Sequence, residues 1–269
     1  MSLNYLRKEE LRMQALRVNN LSRDFGGVRA LSNVNMDIEH GDIVGLIGPN
    51  GAGKTTLFNL LTGIYNPSEG EVFYKFNKET SIKNMKPFDI AKLGVSRTFQ
   101  NIRLFGDMTV AENVKIGIHK NIKYDVLSSI LRLPSYYNQE KAACNTVHEL
   151  LDVFGLLDKK DELAKNLPYG EQRRLEIARA LASKPKFILL DEPAAGMNPN
   201  ETNELRELIK WIKNKFDITI ILIEHDMSLV MSVCDNIYVL DHGEMIASGT
   251  PKEIKNNPVV IKAYLGGEN

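Results

Sequence analysis

The chain has 269 residues, of which 43% are hydrophobic, and its 34 Lys and Arg balance 34 Asp and Glu. This length allows one α/β unit that carries a subdomain and buries a sizeable core. A balanced charge gives no net attraction to nucleic acid or anionic lipid, so any such partner must be bound locally. Two cysteines are too few for a disulfide framework and fit a reducing cytosol. The longest apolar runs fall far short of the roughly 20 residues that cross a bilayer, so we predict no transmembrane segment.

The N-terminal part of the chain predicts an extension followed by a sheet. Residues 1–14 mix charges with scattered leucines and lack the unbroken apolar core of a secretory signal. We expect a short helical or frayed extension there. From Leu16 to Ile38 apolar residues come in short alternating sets separated by turn residues, and Glu71 to Phe76 follows another turn. These stretches predict an antiparallel sheet.

A strand, a glycine loop and a helix are predicted next. Ile43 to Ile47 is an apolar run typical of a strand buried on both faces, and leucines at helical spacing follow Thr56. Between them the pattern G-x-x-x-x-G-K-T lets backbone N–H groups surround phosphate oxygens, and the helix directs its positive end at the same anion. Lys54 would add a mobile positive charge, and Thr55 would place its hydroxyl on a Mg²⁺ ion.

The motif therefore predicts a nucleoside triphosphate site. Its residues are Gly48, Pro49, Asn50, Gly51, Ala52, Gly53, Lys54, Thr55 and Thr56. The alternative is a glycine turn between a core strand and a core helix, with Lys54 merely solvated.

The spacing of apolar residues then becomes helical and later returns to that of strands. The runs 110–114, 124–133 and 139–154 indicate a helical subdomain over about residues 101–172, inserted in one domain that spans residues 15–269. Loops are expected around residues 133–135 and 159–161. The apolar runs 187–190, 218–223 and 237–240 alternate with helices, which is typical of a parallel sheet. Residues 241–244 predict a hairpin, and residues 254–265 predict a closing helix.

Two acids and a histidine end neighbouring strands of this predicted sheet. Asp191 and Glu192 follow a buried strand, where open α/β sheets bind their ligands. Asp191 would hold Mg²⁺ through water, and Glu192 would polarise a water for in-line attack on the γ-phosphate. The alternative is that these are strand-end acids that cap the next helix before Pro193. His225 would contact the γ-phosphate and hold Glu192 in place, although a lone strand-end histidine is usually structural.

Residues 167–171, Leu167-Pro168-Tyr169-Gly170-Glu171, form a turn before an amphipathic helix, and this pattern alone indicates only a helix start. With the other motifs in this order, the chain resembles the nucleotide-binding subunit of an ATP-binding cassette (ABC) transporter from about Leu16 onward. That resemblance implies an α/β fold with a P-loop (RecA-like) parallel-sheet core, an antiparallel β subdomain and an inserted α-helical subdomain. It also implies ATP and Mg²⁺ as cofactors, and a head-to-tail dimer in which each ATP lies between one P-loop and the other subunit's signature.

The same resemblance implies roles for individual residues. Phe25 would stack on adenine, Gln100 would sense Mg²⁺ and the membrane partner, Glu192 would be the catalytic base and His225 the switch histidine. Lys54 would act in catalysis beside them. The implied metal ligands are Thr55, Gln100 and Asp191. The implied signature residues, which face the partner's nucleotide, are Leu167, Pro168, Tyr169, Gly170 and Glu171.

More narrowly, several segments resemble the LivG-type ATPase of branched-chain amino acid importers. They are residues 95–100, 103–105, 108–110, 191–199 and 223–227. This implies two transmembrane permeases, a second ABC ATPase in a heterodimer or homodimer, an extracytoplasmic amino-acid binding protein and no nucleic acid. The chain would lie peripherally on the cytoplasmic face of the membrane, with its coupling surface near Arg103 to Asp107.

Other readings stay open. The ATPase of a lipopolysaccharide or lipid exporter is a near relative. A soluble ABC ATPase acting on ribosomes or DNA is a further alternative, but a single cassette without a heptad run fits neither kind. A P-loop kinase would leave the signature turn and His225 without a role.

Two departures from the family pattern concern the dimer. The usual L-S-G-G-Q appears as residues 167–171, so a serine hydroxyl and one glycine that would face the partner's γ-phosphate are missing. Asn198 stands where the family has an aspartate, which removes a charge from the dimer seam. We hypothesise a sound P-loop side and a weaker signature side, so that the two ATP sites of a heterodimer differ.

Overall fold

The structure, a computed structural model, describes residues 13–118 and 134–265. The predictions for residues 1–12 and 124–133 lie outside these residues. Within them, no helix combines the length and the apolar content that a membrane crossing requires.

The first sheet is antiparallel, with its strands in the order β2-β1-β4-β5. These strands are β1 (Gln14–Phe25), β2 (Val28–Glu39), β4 (Glu69–Lys75) and β5 (Glu79–Ser81). Alternate residues of β2, among them Val34, Met36 and Ile38, are buried, as expected for a sheet with one face on the core. The predicted antiparallel sheet is confirmed. The sequence analysis did not find β5, because it has three residues and no apolar one.

The second sheet forms the core and has the order β10-β9-β3-β8-β7-β6. Its strands are β3 (Ile43–Ile47), β6 (Val95–Arg97), β7 (Phe187–Asp191), β8 (Thr219–Ile223), β9 (Asn236–Asp241) and β10 (Glu244–Gly249). The pairs from β9 through β6 are parallel, and β10 joins β9 as an antiparallel hairpin. Every residue of β3, β7 and β8 is buried, because both faces of the sheet are covered. The predicted parallel core is confirmed.

Helices cover the parallel sheet, and three of them pack together at its side as part of the same hydrophobic core. The helices are α1 (Lys54–Leu61), α2 (Pro87–Leu93), α3 (Val110–Ile118), α4 (Pro134–Val153), α5 (Tyr169–Ala182), α6 (Pro199–Phe216), α7 (Met227–Val233), α8 (Pro251–Lys255) and α9 (Pro258–Leu265). Single 3-10 turns lie at Leu157–Lys159 and Ala164–Asn166. The three that pack together are α3, α4 and α5. Val114, Leu151 and Leu175 are among their buried residues.

Two predictions of local structure were wrong, and both concern proline. The closing helix predicted over residues 254–265 is two helices, since α8 ends at Lys255 and α9 begins at Pro258. Proline has no N–H and its ring clashes with a preceding helical turn, so one helix cannot run through this position. The loop predicted around residues 133–135 already belongs to α4 at Pro134. The first turn of a helix tolerates proline, because its N–H would be unpaired there.

A capping box starts α6. The side-chain oxygen of Asn198 accepts hydrogen bonds from the backbone nitrogens of Asn200 and Glu201, at 2.9 and 3.1 Å. Glu201 Oε2 accepts one in return from the backbone nitrogen of Asn198, at 2.8 Å. Asparagine and aspartate cap helices about equally well. The asparagine therefore preserves the local fold while leaving the position uncharged.

We expect Asn198→Ala to lower the free energy of unfolding by about 1 kcal/mol, because two N–H groups at the start of α6 lose their acceptor. Urea unfolding followed by circular dichroism measures this. The matched control is Asn198→Asp, which keeps the acceptor and should unfold like the parent chain. Equal losses in both variants would contradict this explanation, because the loss could not then come from the missing acceptor.

Candidate nucleotide-hydrolysis site

The loop between β3 and α1 has a backbone that requires glycine. Gly48, Gly51 and Gly53 have φ angles of +152°, +80° and +102°. A Cβ on Gly48 would lie 1.9 Å from the carbonyl oxygen of Leu240, and one on Gly53 would lie 2.9 Å from that of Ala30. Gly53 caps α1 without a side-chain hydrogen bond. The first N–H groups of α1 are therefore free of a side-chain cap, which is the arrangement that binds phosphate at a helix N-terminus.

Lys54 lies across this loop. Its Nζ donates hydrogen bonds to the carbonyl oxygens of Gly48 and Pro49, at 2.6 and 2.9 Å, and the residue is only 7% exposed. Burial lowers the pKa of Lys54, and the nearby carboxylates of Glu192 and Asp191 oppose that shift. The positive charge of the loop and the two acids thus belong to one site.

Two of the predicted catalytic side chains, Gln100 and His225, contact a third, Glu192. Its Oε2 accepts a hydrogen bond from Nε2 of Gln100 at 3.1 Å, and its Oε1 lies 3.1 Å from Nε2 of His225. The Glu192 backbone has φ +48° and donates from its nitrogen to the carbonyl oxygen of Ile223 at 2.9 Å. A left-handed conformation is uncommon outside glycine and is often found at functional sites. It turns Glu192 away from the line of β7 toward the other two residues.

Asp191 is paired with Arg97, to which the sequence analysis gave no role. Arg97 Nη2 lies 2.7 Å from Asp191 Oδ2, and the two side chains are 6% and 3% exposed. Arg97 Nη1 also donates to Oδ1 of Asn59 at 2.7 Å, so this arginine joins β6, β7 and α1. The predicted metal ligands Thr55, Gln100 and Asp191 offer oxygen donors, which Mg²⁺ prefers. Asp191 has a second carboxylate oxygen beside the one that Arg97 holds, so the chemistry of these donors fits this ion.

The segment that carries Gln100 is fastened to α5 by a fully buried arginine. Arg173 donates to the carbonyl oxygens of Phe99 and Gln100, at 2.6 and 2.7 Å, and to Oε2 of Glu176 at 2.9 Å. Glu176 Oε1 in turn accepts from the backbone nitrogen of Arg103 at 3.2 Å. Residues 99–103 are therefore held at both ends by α5. This is the helix that begins at the signature turn.

Phe25 lies at the end of β1 and keeps 37% of its surface exposed. Tyr65 packs edge-on against its ring with 5.2 Å between centroids, and the guanidinium of Arg23 lies 4.6 Å from the ring centre. The ring is therefore held in place while part of it stays open to a planar ligand. Adenine stacking on this ring stays a prediction.

The signature turn is linked to the other predicted site residues only through Arg173 among the described contacts, since the Tyr169 hydroxyl accepts a hydrogen bond from Nη2 of Arg173 at 3.4 Å. A Cβ on Gly170 would lie 2.9 Å from Oε1 of Glu201 in α6, and Glu171 forms an ion pair with Lys159 at 2.7 Å. Tyr169 is 46% exposed. Leu167 is buried, and Pro168 caps α5 without a side-chain acceptor. Their predicted contact with a partner's nucleotide stays a prediction.

A cavity of about 820 Å³ opens beside the glycine loop, within the usual size range of ligand pockets. The loop residues 48–52 and His225 line one part of it, and α9 lines another with Lys262 and Tyr264. The Tyr264 hydroxyl lies beside the backbone N–H of Gly48, and burial raises the pKa of this tyrosine. Sequence analysis missed this wall, because nothing in the pattern of α9 predicts where it packs.

A glycine loop before a helix, with two acids at the end of a parallel strand of the same sheet, defines a P-loop nucleoside triphosphatase. A family model described as ABC transporter matches residues 31–195, and one described as branched-chain amino acid ATP-binding cassette transporter matches residues 244–268. The chain belongs to the ABC transporter family. The predicted family and the predicted enzyme class, an ATPase, are thereby confirmed.

Individual relatives agree with this. The chain is 48% identical over 251 residues to the high-affinity branched-chain amino acid transport ATP-binding protein LivG of Escherichia coli (strain K12), covering 93% of this chain and 97% of the relative. It is 44% identical, with the same coverage, to BraF of Pseudomonas aeruginosa, which has the same description. The crystal structure of the ADP conformation of MJ1267, an ATP-binding cassette of an ABC transporter, is 32% identical with a TM-score of 0.80. That match covers 94% of this chain and 99% of MJ1267. The predicted LivG-type resemblance is confirmed.

We expect Arg97→Met to lower the free energy of unfolding by about 3–5 kcal/mol, because Asp191 would keep a buried charge without its partner. Denaturant unfolding of the purified chain measures the loss. The double variant Arg97→Met/Asp191→Leu removes both charges and should recover much of the stability. A double variant no more stable than Arg97→Met would contradict the pairing explanation.

Proposed function

We propose that this chain is the ATP-hydrolysing subunit of an ABC importer that takes up branched-chain or related amino acids. The observation that carries the hydrolytic role is the meeting of Gln100 and His225 on the carboxylate of Glu192, beside the glycine loop. The substrate class is supported by the names of the relatives and by the family model that matches residues 244–268.

In this proposal the residues divide the work of phosphoryl transfer to water. The N–H groups of the glycine loop and Lys54 bind the phosphates of ATP. Glu192 takes the proton of the attacking water, and Gln100 and His225 orient its carboxylate. Thr55, Gln100 and Asp191 hold Mg²⁺. When bound, that ion supplies positive charge against the charge that develops on the phosphate oxygens.

A dimer is part of the proposal, because the signature turn has no role in binding the nucleotide at the chain's own glycine loop. Each ATP would lie between one chain's glycine loop and the signature turn of a second ABC ATPase. The exposed ring of Tyr169 would then meet the partner's nucleotide where the family has a glycine. With Pro168 in place of serine, this chain would offer a weaker signature side, and the two sites of a heterodimer would differ.

A groove beside Gln100 supports docking of a membrane permease. It has a volume of about 460 Å³ and lies between α2, β6, α3 and α5, with Arg103 and Phe105 in its lining. The Phe105 side chain is 50% exposed. The groove includes part of the coupling surface predicted near Arg103 to Asp107. Arg103 and Gln100 lie in the same segment, residues 99–103, which α5 holds at both ends. A permease helix bound in the groove would therefore act on Gln100 through this segment.

The remaining partners follow from the importer assignment. Two permeases would form the membrane path, and an extracytoplasmic binding protein would deliver the amino acid. This chain would sit peripherally on the cytoplasmic face of the membrane, held by its contacts with the permeases.

Glu192→Gln should keep ATP binding and lower turnover by on the order of 10² or more, because the attacking water loses its base. Steady-state phosphate release and binding of a fluorescent ATP analogue measure the two effects. The control Glu207→Gln changes an exposed carboxylate on α6 and should hydrolyse ATP like the parent chain. Unchanged hydrolysis in Glu192→Gln would remove the base assignment.

The transport assignment is tested with the tagged chain in its own host. We expect the chain purified from detergent-solubilised membranes to bring with it two permeases, a second ABC ATPase and an amino-acid binding protein, identified by mass spectrometry. The Arg103→Glu variant, altered in the groove, should recover less permease. Recovery only from the soluble fraction, or with a lipid-export complex, would keep the ATPase chemistry and contradict amino-acid import.

A further inference from the structure

The proposed mechanism leaves one buried carboxylate beside the site unused. Glu224 follows β8 directly and is only 4% exposed. Its Oε1 accepts a hydrogen bond from the backbone nitrogen of Ala194 at 2.6 Å. Its Oε2 accepts from the backbone nitrogens of His225 and Asp226, at 3.0 and 3.4 Å. One carboxylate thus spans the loop after β7 and the loop after β8.

These two loops carry the pair of side chains on which the proposed chemistry depends. Glu192 lies on the first loop and His225 on the second, with 3.1 Å between Oε1 and Nε2. The Glu192 backbone holds a left-handed conformation, which must be maintained by its surroundings. Glu224 contacts the backbone two residues after Glu192 and the backbone of His225 itself. It is therefore placed to set the distance between the two loops.

Burying a carboxylate costs free energy, and an apolar side chain would fill the same space without that cost. Burial raises the pKa of Glu224, the N–H groups of Ala194, Asp226 and His225 oppose this shift, and the charge of Glu192 adds to it. Among the described residues, the hydrogen-bond donors to its carboxylate are these backbone N–H groups. The position therefore uses both acceptor oxygens of the carboxylate, with one directed at each loop.

We propose that Glu224 is a positioning residue for ATP hydrolysis, which fixes the loop of Glu192 against the loop of His225. The inference rests on the proposed role of Glu192. Glutamine at this position has the same size but only one acceptor oxygen, so its NH₂ group would face a backbone N–H on one of the loops. Aspartate keeps the charge but is shorter by one methylene and cannot span both loops.

The test compares Glu224→Gln and Glu224→Asp in the full chain. We expect kcat to fall about 10- to 100-fold, the loss typical of a small displacement of a reacting group. Affinity for a fluorescent ATP analogue should stay within about 2-fold, because the effect falls on the chemical step. Hydrogen–deuterium exchange should become faster in residues 192–197 and 224–227 and stay unchanged in the central strands.

The matched control is Asp235→Asn. Asp235 Oδ2 accepts from the backbone nitrogen of Ile43 at 2.8 Å, so it is also a carboxylate that holds backbone, but at the start of β3, the opposite edge of the sheet. We expect faster exchange near Ile43 and an unchanged kcat. If Glu224→Gln does not fold, Glu224→Asp, which keeps the charge, carries the same comparison.

A parental kcat despite faster exchange in both loops would overturn the inference, and so would a lowered kcat with parental exchange there. Equal acceleration of exchange throughout the chain would also overturn it, since Glu224 would then serve only global stability. Parental hydrolysis in Glu192→Gln is a separate failure. It would remove the proposed base, whereas the exchange data would still report whether Glu224 holds the loops.

Discussion

The parallel pairing of β3, β8 and β7 is the constraint on which the rest of the site depends. Parallel strands end at the same edge, so the glycine loop after β3, the acids at the end of β7 and His225 after β8 are brought together without direct sequence proximity. All residues of these three strands are buried, because both faces of the sheet are covered. The chemistry of the site therefore relies on the apolar core beneath it.

Buried polar residues convert this shared edge into a defined geometry. Arg97 fixes Asp191, Arg173 fixes the backbone of Gln100, and Glu224 fixes the loops of Glu192 and His225. Each contacts either backbone groups or an opposite charge, as buried polar groups require. Removing one partner of such a contact costs more than the contact contributes, so the three residues are expected to tolerate substitution poorly.

The sequence predicts the parts of this structure that have a local signal. Continuous apolar runs mark β3, β7 and β8, and the glycine spacing marks the loop, since both patterns reflect constraints within a few residues. Arg97 and Arg173 have no such signal, because a buried arginine in a polar stretch looks like a surface residue until its tertiary partners are known. Strand β6 is too short to recognise. Pro258 is a signal for a helix boundary. The apolar residues at helical spacing on both sides of it nevertheless predicted one continuous helix.

The connection between α5 and Gln100 bears on how the altered signature should be understood. Tyr169 begins the helix whose next turn carries Arg173, and Arg173 fastens the segment of Gln100. Tyr169 takes part in these contacts, because its hydroxyl accepts a hydrogen bond from Nη2 of Arg173 at 3.4 Å, although 46% of the residue is exposed. Asn198 keeps the cap of α6. The altered turn therefore changes the surface offered to a partner and is also bonded to the arginine that holds Gln100.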